Sequence, residues 1–334
     1  MIEVLQIDKF SDVPKYRQLE MAVAEGVSNG VLVKNTKLPS INEVVARYDL
    51  SRDTVVKAYN ILRERGIISS TQGKGFYITG AYNLSKRKVF VLFNELNAYK
   101  EVLHKSLIRS LGMSVEVDTF FHNHNLDIFE YLIDKSLGNY THYVIMPTFN
   151  TSKESVLKAI QRIPSKKLFL IDRNLRETQG ASIYQDFRND ALQGLLKLGA
   201  ATEKYREICV LYQDTYLHPF ASLAGINDFC IQKKMPFEVK TNIEQIEKSC
   251  LYVCLKDSDL IKLVKLGNQQ GFIPGQDYGL LSYNESPMKE IIHQGITVIS
   301  TDFGAMGAKT AEMILEDYQA QIANPIKVIK RSSV

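Results

Sequence analysis

The 334-residue chain lacks any run of about 18 uncharged apolar residues, which excludes a membrane-spanning helix of the ordinary kind. Its first ten residues, MIEVLQIDKF, carry Glu3 and Asp8 and have no basic start followed by an apolar core. No secretory leader is expected, and the cytoplasm is the expected compartment. Cysteine is scarce. Cys209, Cys230, Cys250 and Cys254 form no CxxC pair, and no histidine follows at finger spacing. All four lie among apolar residues and are expected as buried thiols. Also missing are GxSxG, a P-loop, and GxGxxG after a strand. An enzyme is therefore not expected, and no cofactor is implied. His122 and His124 invite a metal reading, but no third ligand stands at helical spacing, so no metal site is expected.

What is present is an ordinary globular composition, 45% hydrophobic and 23% charged, over a length that suits about two domains. The net charge of +4 is unevenly placed. Residues 1–88 hold 14 Lys/Arg against 9 Asp/Glu, a net +5, whereas the remainder carries −1. A small basic module on a neutral body points to a polyanionic partner for the module alone.

Within residues 1–80, Pro14 opens an amphipathic helix whose stripe is Leu19, Ala22, Val23, Gly26 and Val27, stopped near Asn29-Gly30. Ser40 and Glu43 have capping-box spacing and begin a second helix, with Ile41, Val44, Val45 and Tyr48 on its apolar face. After the turn at Asp49-Leu50, Ser51 caps a third helix with the stripe Val55, Ala58, Tyr59 and Leu62, closed by Gly66 after Arg65. Ile67-Ile68 starts a strand, Gln72-Gly73-Lys74-Gly75 turns, and Phe76-Tyr77-Ile78 returns. Helix, helix, short turn, helix, hairpin is the order of a winged helix-turn-helix. Arg52, Asp53 and Thr54 fill the first turn of the third helix, the end that reaches base edges. Lys57 lies one to two turns further in and is expected to face the DNA backbone. Lys74, between two glycines, can approach a phosphate or minor groove.

These residues resemble the GntR family of bacterial regulators. The match rests on Lys37-Leu38-Pro39-Ser40, Ser51-Arg52-Asp53-Thr54-Val55, Lys57-Ala58, Leu62, Gly66 and Gly73-Lys74-Gly75. Asn42 and Val56 stand where family members often carry arginine. The resemblance implies double-stranded operator DNA as a partner, contacted by Pro39, Ser40, Asn42, Ser51, Arg52, Asp53, Thr54, Lys57, Lys74 and Gly75.

Residues 81–88 are polar, lack helical periodicity, and read as a linker ending in Lys86-Arg87-Lys88. From 89 to 334, apolar runs alternate with helical patterns. Expected strands are 89–93, 115–120, 143–146, 168–171, 182–185, 208–212, 237–240, 251–255, 278–282 and 298–300. Expected helices lie near 97–111, 126–137, 153–162, 189–199, 219–233, 257–270 and 304–318. This alternation specifies an α/β architecture of parallel sheets covered on both faces, long enough for two Rossmann-like lobes whose strand ends share a cleft.

The segment resembles the effector domains of the lac-repressor family, which share the type I periplasmic-binding-protein fold. The resemblance rests on Leu170-Ile171-Asp172-Arg173, Ala224-Gly225-Ile226, Gly271 through Asp277, Leu281 through Pro287, Ile296-Thr297-Val298 and Asp302-Phe303. Ser222 stands where the family often has a sugar-binding arginine, Asn284 where it has aspartate, and Lys256-Asp257 where it has Asn-Asp. The resemblance implies a homodimer with a sugar-like effector, although these departures point away from a standard hexose. A sugar site needs amides and carboxylates for paired hydroxyls and an aromatic platform for the ring. Asn94, Glu95, Asn97, Phe149, Asp172, Arg173, Tyr184, Asp186, Ser222, Asp257 and Asn284 are the candidates. Asp172-Arg173 has the alternative of an internal ion pair, and Tyr184 of packing between helices. The alternative for the whole chain is a cytoplasmic small-molecule sensor or solute-binding protein whose N-terminal module contacts protein rather than DNA.

Overall fold

The computed structural model describes residues 7–8, 14–28, 30–64, 66–71, 74–79, 87–149, 153–213 and 220–334. The chain divides into two compact units, Met1–Arg87 and Lys88–Val334.

The first unit holds α1 (Lys15–Ser28), α2 (Ile41–Tyr48), α3 (Arg52–Glu64), and a hairpin of β1 (Ile68–Thr71) and β2 (Gly75–Ile78). The three helical stripes and the hairpin meet in one core of Leu19, Val23, Leu38, Val44, Val55, Ala58, Tyr59, Leu62, Ile67 and Ile78. The Ser40 capping box forms as its spacing predicts: Glu43 N–H donates to Ser40 Oγ, and Ser40 N–H to Glu43 Oε2 at 2.7 Å. That bond holds the Glu43 carboxyl below the usual range. Asp49 closes α2 in the left-handed conformation (φ 55°), which sets the sharp turn into α3. Asn29, Arg65, Gln72, Gly73, Gly80 and the linker residues 81–86 lie outside the described residues.

The second unit begins with β3 (Lys88–Phe93), so Lys88 belongs to a strand rather than to the linker. There follow α4 (Ala98–Leu111), β4 (Glu116–Phe121), α5 (Leu126–Ser136), β5 (His142–Ile145), α6 (Lys153–Ile160), β6 (Leu168–Asp172) and β7 (Ala181–Tyr184). Next come α7 (Phe187–Leu198), β8 (Glu207–Leu211), α8 (Ala221–Lys233), β9 (Phe237–Lys240), β10 (Cys250–Cys254), α9 (Asp257–Gln270) and β11 (Gly279–Tyr283). The chain ends with α10 (Met288–Ile291), β12 (Thr297–Thr301), α11 (Phe303–Leu315), β13 (Gln321–Ala323) and β14 (Ile326–Ile329).

Two six-stranded sheets result, ordered β13-β7-β6-β5-β3-β4 and β14-β12-β11-β10-β8-β9. Every described pairing in them is parallel except that of β14 with β12. Because both faces of each sheet are covered, the strands read as continuous apolar runs whose residues serve alternate cores. Val89, Val91 and Phe93 enter one core while Phe90 and Leu92 enter another. In the second sheet Ile208 and Val210 face one core, and Cys209 and Leu211 the other. All four cysteines are buried free thiols in the second sheet and its helices.

β13 and β14 were not expected, since both are short and follow a helix. Together with α11 they make the connectivity interleave. After β12 the chain returns to the first lobe for α11 and β13, then goes back to the second for β14. It therefore crosses between lobes three times, at Gln185–Asp186, at Asp302 and at Asn324–Pro325. In each lobe a glycine lets two helices meet closely. A Cβ at Gly307 of α11 would lie 2.4 Å from the Leu103 carbonyl of α4, and one at Gly225 of α8 would lie 2.0 Å from that of Arg188.

Candidate functional site

In the first unit the DNA-reading candidates occupy one short stretch. Ser51 Oγ accepts from the Thr54 N–H at 3.2 Å and pairs with the Thr54 hydroxyl at 2.8 Å, so Ser51 caps α3 as its sequence context predicts. Arg52 and Asp53 are exposed on the first turn of α3, and Ser40 and Asn42 are exposed at the start of α2. Among the described residues no carboxylate forms an ion pair with Arg52 or Lys74. Gly75 takes φ +107° behind Lys74, a conformation that favours glycine. One expectation is corrected. Pro39 is buried, and its carbonyl accepts from the buried Tyr59 hydroxyl at 2.7 Å; it locks α3 to the α2 entry instead of presenting a surface. Lys57 is exposed, with its ammonium 4.0 Å from the Tyr16 ring centroid.

In the second unit a cavity of about 400 Å³ opens where the carboxyl ends of β3, β5, β6, β10 and β11 meet between the lobes. Seven sequence candidates line it: Asn94, Glu95, Asn97, Asp172, Arg173, Asp257 and Asn284. Four do not. Phe149 stacks on His122 at 4.4 Å and packs edge-on to Phe129 at 5.0 Å, which uses its ring as core. Tyr184 is a half-buried strand residue outside the lining, and Ser222 is fully buried within α8. Asp186 is exposed and caps α7, accepting from the Asn189 N–H at 3.3 Å.

The lining shows a repeated device. Lys100 Nζ sits 3.1 Å from Glu95 Oε1, which also accepts from Asn97 Nδ2 at 3.1 Å. Burial raises the Glu95 carboxyl, but Lys100 and His124 outweigh it and hold the group below the usual range. Arg173 Nε is 3.3 Å from Asp172 Oδ2, so the ion-pair alternative is realised within the cavity wall, and the guanidinium lies 4.4 Å from the Phe187 ring centroid. Lys289, buried on α10 of the second lobe, meets Asp257 at 2.8 Å and donates to the carbonyls of Tyr283 (2.9 Å) and Asn284 (2.5 Å). Asp172 and Asn284, at equivalent strand ends in the two lobes, both take positive φ (72° and 60°). Strain of this kind concentrates where a ligand is held.

Three side-chain oxygens of lining residues are buried without a partner among the described residues: Asn94 Oδ1, Asn284 Oδ1 and Ser286 Oγ. Such groups cost about 1–3 kcal/mol each unless something bonds them. Asn94 Nδ2, by contrast, donates to His124 Nε2 at 3.3 Å, while His124 Nδ1 donates to the Thr148 carbonyl. Burial pushes the His122 pKa down to about 4, outweighing the hydrogen bond it donates to the Met146 carbonyl, which raises it. The two histidines are thus structural supports of the first lobe. Asp190, in the first turn of α7, is buried, and desolvation lifts its carboxyl to about 7.

Sequence reasoning missed Tyr99, Lys100, Thr148, Gln185, Phe187, Tyr283, Ser286 and the supporting Lys289. Ser286 lay inside a quoted motif, two residues past Asn284. Gln185 had no signal of its own. Its amide donates to Asp172 Oδ1 at 2.5 Å, and its carbonyl accepts from the Thr301 hydroxyl at 2.5 Å. It therefore ties the cavity wall to a lobe crossing. Buried Asn324 binds the three crossings together: its N–H donates to the Tyr184 carbonyl at 2.7 Å, and its amide to the Asp302 carbonyl at 3.0 Å.

A winged helix-turn-helix joined to a two-lobed α/β unit is the architecture of a DNA-binding regulator. The comparisons agree. The sequence profile described as "Bacterial regulatory proteins, gntR family" matches residues 15–78. The HTH-type transcriptional repressor YtrA of Bacillus subtilis (strain 168) is 30% identical over 115 residues, 34% of this chain and 85% of that protein. The arabinose metabolism transcriptional repressor of Geobacillus stearothermophilus is 22% identical over 349 aligned positions, 92% of each chain. Among solved structures, the trehalose repressor from Escherichia coli superposes with TM-score 0.60 at 13% identity, covering 73% of this chain and all of that one. The chain belongs to the gntR family of bacterial regulatory proteins and is a transcriptional regulator, with a lac-repressor-like two-lobed fold in its second unit. Among the described residues no helix is long and apolar enough to cross a membrane.

Proposed function

We propose that this regulator represses genes for sugar utilisation and that a sugar bound between the lobes controls its affinity for operator DNA. The observation that carries the effector half is the cavity, lined by Asn94, Glu95 and Asp172 from one lobe and by Asp257, Asn284 and Ser286 from the other. A polyhydroxylated ligand bridging them would bond polar groups of both lobes and stabilise one arrangement of the lobes. The full-length likeness to a repressor of arabinose metabolism supports a pentose as the ligand.

In this reading Arg52, Asp53 and Thr54 read base edges from the first turn of α3. Ser40, Asn42 and Ser51 bond phosphates, and Lys74 reaches the groove beside the hairpin. The protein acts as a homodimer, so two winged helices meet two half-sites. Ligand changes their spacing by population shift, and a coupling of about 1–3 kcal/mol suffices. Gln185 and Asn324 give the shift a route, since they join the cavity wall to the lobe crossings.

A mobility-shift assay on the DNA upstream of the protein's own operon, with and without L-arabinose, D-xylose and D-ribose, tests this. A complex that one sugar weakens or strengthens is the expected result. Absence of any complex at low salt, under every ligand condition, would overturn the DNA-binding reading and favour a sensor that contacts protein.

A further inference from the structure

We infer that Lys37 is a DNA-phosphate contact of the wing, seated there by Gly75. The contact presupposes that the winged helix binds DNA, and it adds a cation that sequence spacing did not single out.

The backbone places Lys37 on the wing. Residues 35–38 run beside β2 as a third strand: Asn35 N–H donates to the Ile78 carbonyl at 2.8 Å, Ile78 N–H to that of Thr36 at 2.9 Å, and Leu38 N–H to that of Phe76 at 2.9 Å. Lys37 stands opposite Tyr77 in that antiparallel ladder. Leu38, Phe76 and Ile78 pack into the core, so the strand alternation puts Lys37, Tyr77 and Gly75 on the outer face. The Lys37 stem runs from Tyr77 toward the wing tip, with Cε 3.2 Å from where a Cβ at Gly75 would stand. Tyr77 fixes the same tip, since its hydroxyl donates to the Lys74 carbonyl at 3.0 Å.

The charge at that place is open. Lys37 is exposed and forms no ion pair among the described residues. Glu43 feels its charge, but that carboxylate already accepts from the Ser40 N–H at 2.7 Å. The ammonium therefore stands between the wing and the start of α2, the helix that crosses the DNA backbone in this fold. Lysine is a compact point charge suited to phosphate rather than to a base edge. Gly75 explains why the stem can lie there. A side chain at Gly75 would be strained at φ +107° and would press on Lys37. The second glycine of Gly73-Lys74-Gly75 thus serves Lys37 as well as Lys74.

The test is filter binding of the full chain and of Lys37→Met, which keeps an unbranched stem without the charge. Two duplexes are used, the DNA upstream of the protein's own operon and an arbitrary sequence of equal length, over about 50–300 mM salt. Lys37→Met is expected to bind both duplexes roughly 3–10-fold more weakly at low salt, and the slope of log affinity against log salt is expected to fall by about 0.9 on each. Lys37→Arg is expected to restore both. Equal loss on the two duplexes is required, because phosphates carry no sequence. Wild-type affinity and slope in Lys37→Met, or a loss confined to the upstream duplex, overturns the contact and leaves DNA binding intact. Weaker binding with an unchanged slope and a lowered thermal midpoint assigns Lys37 a structural role and also overturns it. A wild type that binds neither duplex at low salt overturns DNA binding itself. Gly75→Ala is expected to weaken binding less in the Lys37→Met background than alone, and full additivity overturns the seat.

Discussion

The two units treat positive charge in opposite ways. On the winged helix, Arg52 and Lys74 project into solvent with no carboxylate among the described residues to hold them. In the cavity and behind it, Lys100 and Lys289 are buried and Arg173 is half-buried, and each is bound to an acid. The difference follows from what each surface meets. DNA brings its own negative charge and releases counterions when an open cation approaches, so an unpaired exposed cation is an asset there. A cation buried in the protein cannot stay uncompensated, so the charges there serve to orient hydrogen-bonding groups instead.

Removing a charge partner in the cavity is the largest lever on this contrast. Asp172→Asn keeps a residue that tolerates the positive φ but leaves the Arg173 guanidinium without its carboxylate. The second unit is expected to lose roughly 3–5 kcal/mol of unfolding free energy in urea. A loss below about 1 kcal/mol would mean that the pair is no better than a surface bridge.

Acid should separate the units next. The folded protein resists protonating His122 until about pH 4, whereas the unfolded chain takes the proton near 6.5. The unfolded state therefore binds more protons between these values, and stability falls as pH drops through that window. The full loss, about 3 kcal/mol, is reached only below it. Urea denaturation of the wild type and of His122→Gln at pH 7.5 and 4.5 isolates the effect; identical pH slopes would remove His122 as its source.

The corresponding charge deletion on the winged helix has a different signature. Arg52→Ala is expected to weaken operator binding by about 1–3 kcal/mol and to change stability by less than about 0.5 kcal/mol. A large fall in stability, or an unaltered operator affinity in a filter-binding titration, would break the contrast from the other side. The smallest effect is at the α2 cap, where Ser40→Ala should cost the first unit about 1 kcal/mol in thermal unfolding and leave sugar binding unmoved.

The legibility of the two sites differs for a related reason. The winged helix is built from contacts a few residues apart, so capping spacing and apolar stripes placed α2 and α3 closely, and Ser40 and Ser51 cap as their spacing required. Even so, Pro39 looked like a surface residue because its motif lies beside the reading edge, whereas Tyr59, twenty residues later, turns it inward. In the second unit the apolar runs gave ten strands, with the central alternation intact. β13 and β14 escaped because three- and four-residue edge strands carry too little pattern to stand out. Strand-end reasoning found the polar residues that follow β3, β6, β10 and β11. It failed for Phe149, whose ring found His122 and Phe129, and for Gln185, whose partners are 13 and 116 residues away.

Sequence alone therefore determined the helices, the alternation of strands, the basic module and the presence of a cleft, since each is fixed by neighbours along the chain or by solvent averaged over a face. Only the tertiary structure decided which strand ends share one cavity and which cations there are already neutralised. It also decided that the chain crosses between lobes three times, bound together at Asn324. Those facts depend on pairs of residues brought together from far along the chain, and local periodicity carries no record of a distant partner.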